Sequence, residues 1–226
     1  MVFDLDGTLI DSRADLANST NDMLVSYGAE ALPPAQITSF VGEGARLLVS
    51  RALDAARLPQ TLLDEAVGRY LEIYSGRLLE QTRLYDGVDE VIAGAIASGA
   101  SLGVITNKPQ APTDRLLHAF GLAPHFQWVI GGDTAFGRKP DPAPLNWMMN
   151  EAGYAPARTL FVGDSTVDAD TARGAGTYFC LAEYGFGQSH GLTALTPDEF
   201  RAATARDIAP AIDLVRATAR SARAEP

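Results

Sequence analysis

The sequence predicts an α/β protein, with a Rossmann-like three-layer core around a parallel central sheet and an inserted all-helical domain. Short, continuous apolar runs recur along the chain, which is typical of strands that are covered on both faces. Stretches with helical spacing separate these runs, and this alternation favours a parallel sheet built from βαβ units. Residues 13–83 break the alternation, because they carry helical periodicity without a strand pattern.

The strands of the core are expected at the apolar runs and its helices between them. The runs are MVF (1–3), SLGVIT (101–106), FQWVIG (126–131), TLFVG (159–163) and TYFCLA (177–182). The intervening helices are expected near residues 87–98, 110–120, 142–152 and 168–175. Because only three residues precede Asp4, the first strand should be short.

The inserted region is expected to consist of helices only. Its first helix should begin after an N-cap at Asp11 or Ser12 and stop at Gly28. The helical stretches that follow are PAQITSF, EGARLLVSRALDAAR and QTLLDEAVGRYLEIYSGRLLEQ. We therefore predict a discontinuous core of residues 1–12 and 84–226 and a helical cap domain of residues 13–83, with linkers near 11–13 and 83–87.

Composition narrows the classes of function. The chain has 226 residues, 46% of them hydrophobic and 20% charged, which suits a globular protein with a substantial core. Its formal net charge of -10 disfavours nucleic acid as a partner, because an acidic surface repels phosphate backbones. No apolar stretch reaches the roughly 18 residues that span a membrane, and the start of the chain lacks the basic segment of a signal peptide. A cytoplasmic location is the resulting expectation.

Cysteine and histidine usage gives no metal motif. The single cysteine, Cys180, has no disulfide partner and is expected to be a buried thiol. His118, His125 and His190 are scattered and form no pair with ligand spacing. The last residues, ARSARAEP (219–226), are expected to be disordered.

Polar residues follow the predicted strands where each strand ends. In an open α/β sheet, ligands bind beyond the carboxyl ends of the strands, so these residues should share one site. The candidates are Asp4 and Asp6 after the first run, Thr106 and Asn107 after the second, Lys139 after the third, and Asp164, Ser165 and Asp168 after the fourth.

These residue types point to phosphate chemistry with a metal ion. Asp4 and Asp6, at positions i and i+2, would lie on one side of an extended chain, where one carboxylate can attack while the other serves as acid and then base. Asp164 would add an oxygen ligand, and a hard ion such as Mg2+ prefers oxygen ligands. Lys139 would offset negative charge, and the Thr106 hydroxyl with nearby amides would hold phosphoryl oxygens.

The glycine of DLDGT has a predicted role of its own. Gly7 would let the backbone at Gly7 and Thr8 approach a phosphate closely, so that amide groups can face it. Both residues are therefore substrate-binding candidates, together with Asn107.

The set DLDGT, TN, the lysine before PDP, and GDSTVD resembles, in this order, the four motifs of the haloacid dehalogenase superfamily, and in particular its phosphatases. The resemblance implies that Asp4 is the nucleophile that forms an aspartyl phosphate and that Asp6 is the proton donor and acceptor. It implies Mg2+ bound by Asp4, the carbonyl of Asp6, and Asp164. Thr106 and Lys139 would then bind the phosphoryl group, and Asp168, with Ser165 near it, would support either the metal or Lys139.

The inserted region suggests a substrate. FVGEGARLLVSRAL (40–53), TNKP (106–109) and EYGFG (183–187) resemble phosphoglycolate phosphatases, which implies 2-phosphoglycolate as substrate, with Arg46 as the cation that meets its carboxylate. A phosphomutase similar to β-phosphoglucomutase, a pyrophosphatase and a sugar-phosphate phosphatase are the alternatives, and a metabolite sensor with a vestigial site is a non-enzymatic one. The expected partner is a small phosphorylated metabolite, and the expected state is a monomer or homodimer.

Simpler interpretations exist for single motifs. Asp4 and Asp6 could form a solvated turn, Lys139 could be a surface lysine, and Arg46 could be solvated or ion-paired. GDSTVD could be a helix N-cap cluster, because aspartate and serine favour caps, and we expect it to be both cap and ligand. GGDTAFGRK lacks the lysine and following hydroxyl residue of a P-loop in the required places.

Overall fold

The computed structural model describes residues 1–187, 192 and 196–221. Its strands are β1 (Val2–Phe3), β2 (Ile10–Asp11), β3 (Arg83–Leu84), β4 (Gly103–Ile105), β5 (Trp128–Ile130), β6 (Leu160–Gly163), β7 (Tyr178–Ala182) and β8 (Glu199–Ala202). Six of them form the central sheet in the order β5-β4-β1-β6-β7-β8. Every pairing within this sheet is parallel, so all its carboxyl ends lie on one edge.

The α-helices of the described residues follow the periodicity of the sequence. They are α1 (Arg13–Ser26), α2 (Pro34–Thr38), α3 (Ala45–Ala55), α4 (Leu63–Arg77), α5 (Val88–Ala97), α6 (Gln110–Ala119), α7 (Ala143–Ala152), α8 (Thr166–Ala175) and α9 (Ala209–Ser221). The predicted α/β class is confirmed, and each of the predicted apolar runs contains a strand. The first strand is short, as expected.

Two elements near the carboxyl terminus were not predicted. Strand β8 has the sequence EFRA and lies at the edge of the sheet, where charged side chains are tolerated, so it lacks an apolar run. Helix α9 continues to Ser221, so the prediction of disorder is wrong for residues 219–221. Residues 222–226 and His190 lie outside the described residues.

A two-stranded ribbon lies at the junction between the helical insertion and the rest of the chain. Strand β2 pairs antiparallel with β3, so Ile10 lies opposite Leu84. Next to it, the buried Asp15 carboxylate accepts hydrogen bonds from the amides of Gln81 and Thr82 at 2.8–3.0 Å. The elements between β2 and β3 are helical. The division into residues 1–12 and 84–226 and residues 13–83 stays a prediction, which this arrangement supports.

The sheet is packed on both faces, as parallel strands require. Alternate strand residues enter separate clusters: Phe3 and Val162 pack on one side, and Val2 and Phe161 on the other. The first cluster includes apolar residues of α5 and α9, and the second includes those of α7 and α8. Cys180 is buried, as predicted, and burial raises the pKa of its thiol to about 12. Among the described helices, none has the length and apolar content that crossing a bilayer requires.

Candidate active site

The carboxyl edge of the sheet gathers the polar strand ends. Strand β1 lies between β4 and β6, with Phe3 level with Val104 and Val162. Asp4 therefore lies between the ends of these two strands, and Thr106 and Asp164 directly follow their last residues, Ile105 and Gly163. Together with Asp6 and Asn107, these side chains line one pocket.

Asp4 is buried against a lysine that a second aspartate holds in place. The Lys139 ammonium lies 2.7 Å from Asp4 Oδ1 and 2.5 Å from Asp168 Oδ1. Burial raises the pKa of Asp4 to about 7, while Lys139 opposes the shift and Asp168 adds to it. Burial alone would lower the pKa of Lys139, but Asp168 and Asp4 raise it. Lys139 is only 3% exposed, so the surface interpretation is wrong.

Asp168 can hold this lysine in place because its own carboxylate is fixed at the start of helix α8. Ser165 is the N-cap of α8 and forms a capping box with Asp168. The second carboxylate oxygen, Oδ2, accepts from the Ser165 amide at 3.0 Å and from its hydroxyl at 2.5 Å. The predicted N-cap role of the GDSTVD motif is confirmed. Because both oxygens of Asp168 are engaged, the group acts on the pocket through Lys139.

Asp164 is held among glycines. A Cβ at Gly7, Gly185 or Gly187 would overlap the side chain of Asp164. This close approach lets the amides of Phe186 and Gly187 donate to Asp164 Oδ2 at 2.9 and 2.5 Å. Burial raises the pKa of Asp164, and the charges of Asp168 and Asp4 raise it further. The EYGFG segment thus fixes one oxygen and leaves Oδ1 without a hydrogen bond from any described residue.

Asp6 has partners that differ from those of Asp4. Its Oδ1 accepts from the Ser12 hydroxyl at 2.5 Å, and both of its oxygens lie 2.9 Å from Lys108 Nζ. Ser12 occupies the predicted N-cap position of α1, but its hydroxyl makes no capping bond because Asp6 takes it. The solvated-turn interpretation of Asp4 and Asp6 is wrong, since each carboxylate is largely buried and paired with its own lysine.

Thr106 and Asn107 link the pocket to the loops around it. The Thr106 hydroxyl accepts from the Lys108 amide at 3.2 Å and donates to no described residue. The Asn107 amide group donates to the carbonyls of Gly42 and Lys139, both at 3.0 Å. It therefore joins the helical insertion to the loop that carries the lysine.

Gly7 and Thr8 lie behind the pocket wall. Gly7 has φ +85°, a left-handed conformation that favours glycine, and it packs directly on Asp164. Thr8 is completely buried, and its hydroxyl has no hydrogen-bond partner among the described residues. Neither is among the residues that line the pocket, so their predicted contact with substrate stays a prediction.

The insertion supplies the apolar wall facing the aspartates. Val41, Leu48, Tyr70 and Tyr74 line the pocket from this side, and the two tyrosine rings stack with centroids 5.7 Å apart. Arg46 does not line it: the side chain is 58% exposed and pairs with Asp64 at 2.7 Å. Of the predicted site residues, Arg46 is thus the one that the structure leaves on the outer surface, in agreement with the ion-paired alternative.

Lys108 and the tyrosines are site residues that were not predicted individually. Lys108 belongs to the TNKP motif, in which the predicted roles fall on Thr106 and Asn107 and not on the lysine. Tyr70 and Tyr74 stand four residues apart, which indicates one face of a helix but not what that face meets. An aromatic pair at this spacing is equally typical of a core.

The acidic cluster fits a hard divalent cation. Carboxylate oxygens of Asp4, Asp164 and Asp168 lie within 4.8 Å of one another, close to the separation of about 4.2 Å that opposite oxygen ligands of one Mg2+ have. These buried carboxylates and one ammonium leave an excess of two negative charges. Asp4 and Asp164 Oδ1, which accepts no hydrogen bond from a described residue, are the oxygens available as metal ligands, since both oxygens of Asp168 are engaged.

Fold and site together define a class of protein: a Rossmann-like α/β enzyme with an acidic, cation-compatible site at the carboxyl edge of its sheet. The chain belongs to the haloacid dehalogenase-like hydrolases, whose family model matches residues 1–182. The matched part includes the helical insertion, both lysines and the four aspartates of the site, and it ends just before the EYGFG segment (183–187).

Several relatives within this family that are similar to the chain are named phosphoglycolate phosphatases. The chain is 37% identical over 210 residues to a phosphoglycolate phosphatase of Pseudomonas putida, covering 89% of this chain and 77% of the relative. It is 35% identical over 202 residues to a phosphoglycolate phosphatase of Haemophilus influenzae, covering 87% and 90%. Among solved structures, a predicted phosphoglycolate phosphatase from Haemophilus somnus superposes with a TM-score of 0.86 at 32% identity, covering 92% of this chain and 95% of that one.

Proposed function

We propose that the protein is a Mg2+-dependent phosphomonoester hydrolase that converts 2-phosphoglycolate and water into glycolate and phosphate. The observation that carries this proposal is the meeting of Asp4, Thr106, Asp164 and the Lys139 ammonium at one edge of the sheet, with Asp6 beside them. The names of the relatives support the choice of substrate.

In the first step, a carboxylate oxygen of Asp4 attacks phosphorus and the bond to the ester oxygen breaks. Asp6 gives its proton to that oxygen, so glycolate leaves. In the second step, Asp6 takes a proton from a water molecule that attacks the phosphorus of the aspartyl phosphate. Phosphate is released, and the Asp4 carboxylate is restored.

The surrounding groups make these steps possible. Lys139, held by Asp168, offsets the charge that Asp4 and the phosphoryl group bring together. The Thr106 hydroxyl is free to donate to a phosphoryl oxygen. Asp4, the carbonyl of Asp6 and Asp164 would hold Mg2+, which would neutralise phosphoryl charge and orient the phosphorus for attack.

Residues 13–83 act as a cap in this proposal. They place an apolar wall and two tyrosines over the aspartates, which would exclude bulk water from the acyl phosphate. Opening at the β2–β3 ribbon would admit substrate. The expectations of a cytoplasmic location and of a monomer or homodimer stay predictions.

Release of inorganic phosphate from 2-phosphoglycolate tests the proposal. Wild-type protein should release phosphate with Mg2+ and stop in EDTA, whereas Asp4→Asn should be inactive in both. Asp213→Asn, an exposed aspartate on α9, is the control and should retain full activity. Turnover by Asp4→Asn would overturn the nucleophile assignment. In a parallel assay with a sugar phosphate as substrate, an isomerised product without free phosphate would indicate a mutase.

A further inference from the structure

Lys108 is a buried lysine inside the pocket. Among the described residues that line this pocket, it alone carries a positive charge. Lys139 pairs with Asp4 but does not line the pocket itself. Its side chain is 3% exposed, and its ammonium sits 4.7 Å from the centre of the Tyr74 ring. Burial of an ammonium is costly unless it is paired, and the Asp6 carboxylate pairs this one.

The pairing of Lys108 leaves capacity for another anion. Both Asp6 oxygens lie 2.9 Å from its Nζ, and no other hydrogen-bond acceptor for it exists among the described residues. An ammonium has three N–H donors, so at least one remains for a ligand. The ring face of Tyr74 stabilises the charge without consuming a donor in a conventional hydrogen bond.

The size of the proposed substrate determines where its carboxylate must lie. In 2-phosphoglycolate a single methylene joins the ester oxygen to the carboxylate. If Asp6 protonates that ester oxygen, the carboxylate is confined to the immediate surroundings of Asp6. Lys108 is the cation located there, at one hydrogen-bond length from Asp6. Arg46 is excluded from this volume, since its guanidinium pairs with Asp64 on the exposed face of the insertion.

We propose that Lys108 is the specificity-determining residue that binds the substrate carboxylate, its ammonium bridging that group and Asp6. This inference rests on the proposed function, because it presupposes a short carboxylated phosphomonoester with its ester oxygen at Asp6. The ring of Tyr74, whose centre lies 4.7 Å from the ammonium, would help to hold Lys108 in this position. Carboxylate selectivity is therefore located in the core loop after β4, and the cap contributes the ring that positions it.

The test compares two substrates that differ only in the carboxylate. 2-Hydroxyethyl phosphate carries a hydroxymethyl group where 2-phosphoglycolate carries the carboxylate. For wild type we expect kcat/KM to favour 2-phosphoglycolate by about 100-fold, the value of one strong charge-assisted contact. Lys108→Met and Lys108→Gln should reduce this ratio to near one, chiefly through KM for 2-phosphoglycolate, and Lys108→Arg should retain much of it. The ratio isolates the carboxylate contact, because both substrates meet the same altered surroundings of Asp6.

A binding measurement gives a readout without turnover. 3-Phosphonopropanoate and propylphosphonate, titrated calorimetrically in the presence of Mg2+, should differ in affinity for wild type and bind equally to Lys108→Met. Arg46→Ala is the matched control, a second cation removed from the cap side, and should keep the wild-type difference. Thermal melts of each variant verify folding.

The possible results distinguish the proposed function from the proposed role of Lys108. A wild-type enzyme that hydrolyses 2-hydroxyethyl phosphate as well as 2-phosphoglycolate would refute the proposed function. A wild-type preference that survives in folded Lys108→Met and Lys108→Gln would refute the role of Lys108 while leaving the proposed function in place. Loss of the preference in Arg46→Ala instead would assign the carboxylate to the cap arginine.

Discussion

Replacing Gly7 with alanine should damage the active site far more than it damages the fold. Two effects act at this position: φ of +85° is unfavourable for any residue with a Cβ, and the added Cβ would meet Asp164. Gly28 provides a matched control, since its φ is +79° and no atom lies within 4 Å of an added Cβ. Gly28→Ala therefore carries the backbone strain alone.

The two magnitudes can be worked out separately. Left-handed strain costs about 1–2 kcal/mol, which lowers Tm by roughly 2–8 °C in a chain of this size. At Gly7 the new Cβ would lie 1.8 Å from Asp164 Oδ2, and ordinary contact begins near 3.4 Å, so that oxygen must retreat by about 1.6 Å. A displacement of about 1 Å at a reacting centre can cost on the order of 100-fold in rate.

The assay measures kcat/KM with Mg2+, together with Tm, for wild type and both variants. Gly28→Ala should lose stability and keep the wild-type kcat/KM. Gly7→Ala should lose at least as much stability and about 100-fold in kcat/KM, and half-maximal activity should need more Mg2+. If Gly7→Ala stayed within threefold of Gly28→Ala in kcat/KM, Asp164 would not have to occupy its present position.

Three further predictions concern the metal, pH and the insertion. Mg2+ at about 100 times its Kd should stabilise wild type by about 2.7 kcal/mol, and Asp164→Asn should shift much less in a thermal melt; equal shifts would contradict the metal assignment. Burial would raise the pKa of Glu199, but the Arg173 guanidinium, at 2.7 Å, lowers this pKa overall. The ion pair therefore stabilises the fold above pH 4.5, the ordinary pKa of a glutamate, and this stabilisation disappears as pH falls through the folded-state pKa. The Tm deficit of Glu199→Gln should accordingly be largest near neutral pH and vanish in acid, and a pH-independent deficit would be the contrary result. Asp15→Asn should cost about 3 kcal/mol in urea unfolding, because the amide group cannot accept all the hydrogen bonds from residues 81–82; a loss below about 1 kcal/mol would show that this anchor is dispensable.

The sequence predicts the sheet and most of the polar residues at its carboxyl edge, because both depend on local patterns. A continuous apolar run predicts a buried strand, and the parallel arrangement then brings the strand ends together, so Asp4, Thr106 and Asp164 could be assigned to one edge. Strand β8 escaped prediction because Glu199 and Arg201 interrupt its apolar character. Its identity as a strand depends on pairing with β7, which no local pattern reveals.

The remaining site residues depend on contacts between distant parts of the chain. Lys108 meets Asp6 across 102 positions of sequence, and Tyr74 reaches the same ammonium from the helical insertion. Arg46 shows the converse case, since Ala45 and Leu48 on the same helix line the pocket while Arg46 points outward. Periodicity predicts that α3 has an apolar face, but the rotation of that face relative to the pocket is set by packing.

The two aspartates at the start of the chain are tolerated together because each has its own lysine, and the two lysines are held differently. Lys139 lies between Asp4 and Asp168, and Asp168 is itself fixed by the N-cap of α8, so this ammonium is locked into the core. Lys108 is held by Asp6 and by an aromatic ring from the insertion. Its surroundings would therefore change if the insertion moved, whereas the two carboxylates that hold the Lys139 ammonium both belong to the core. Under the proposed function, the fixed charge of Lys139 would serve the phosphoryl group, which each turnover would present in the same place, and Lys108 would serve the part of the substrate that must be distinguished.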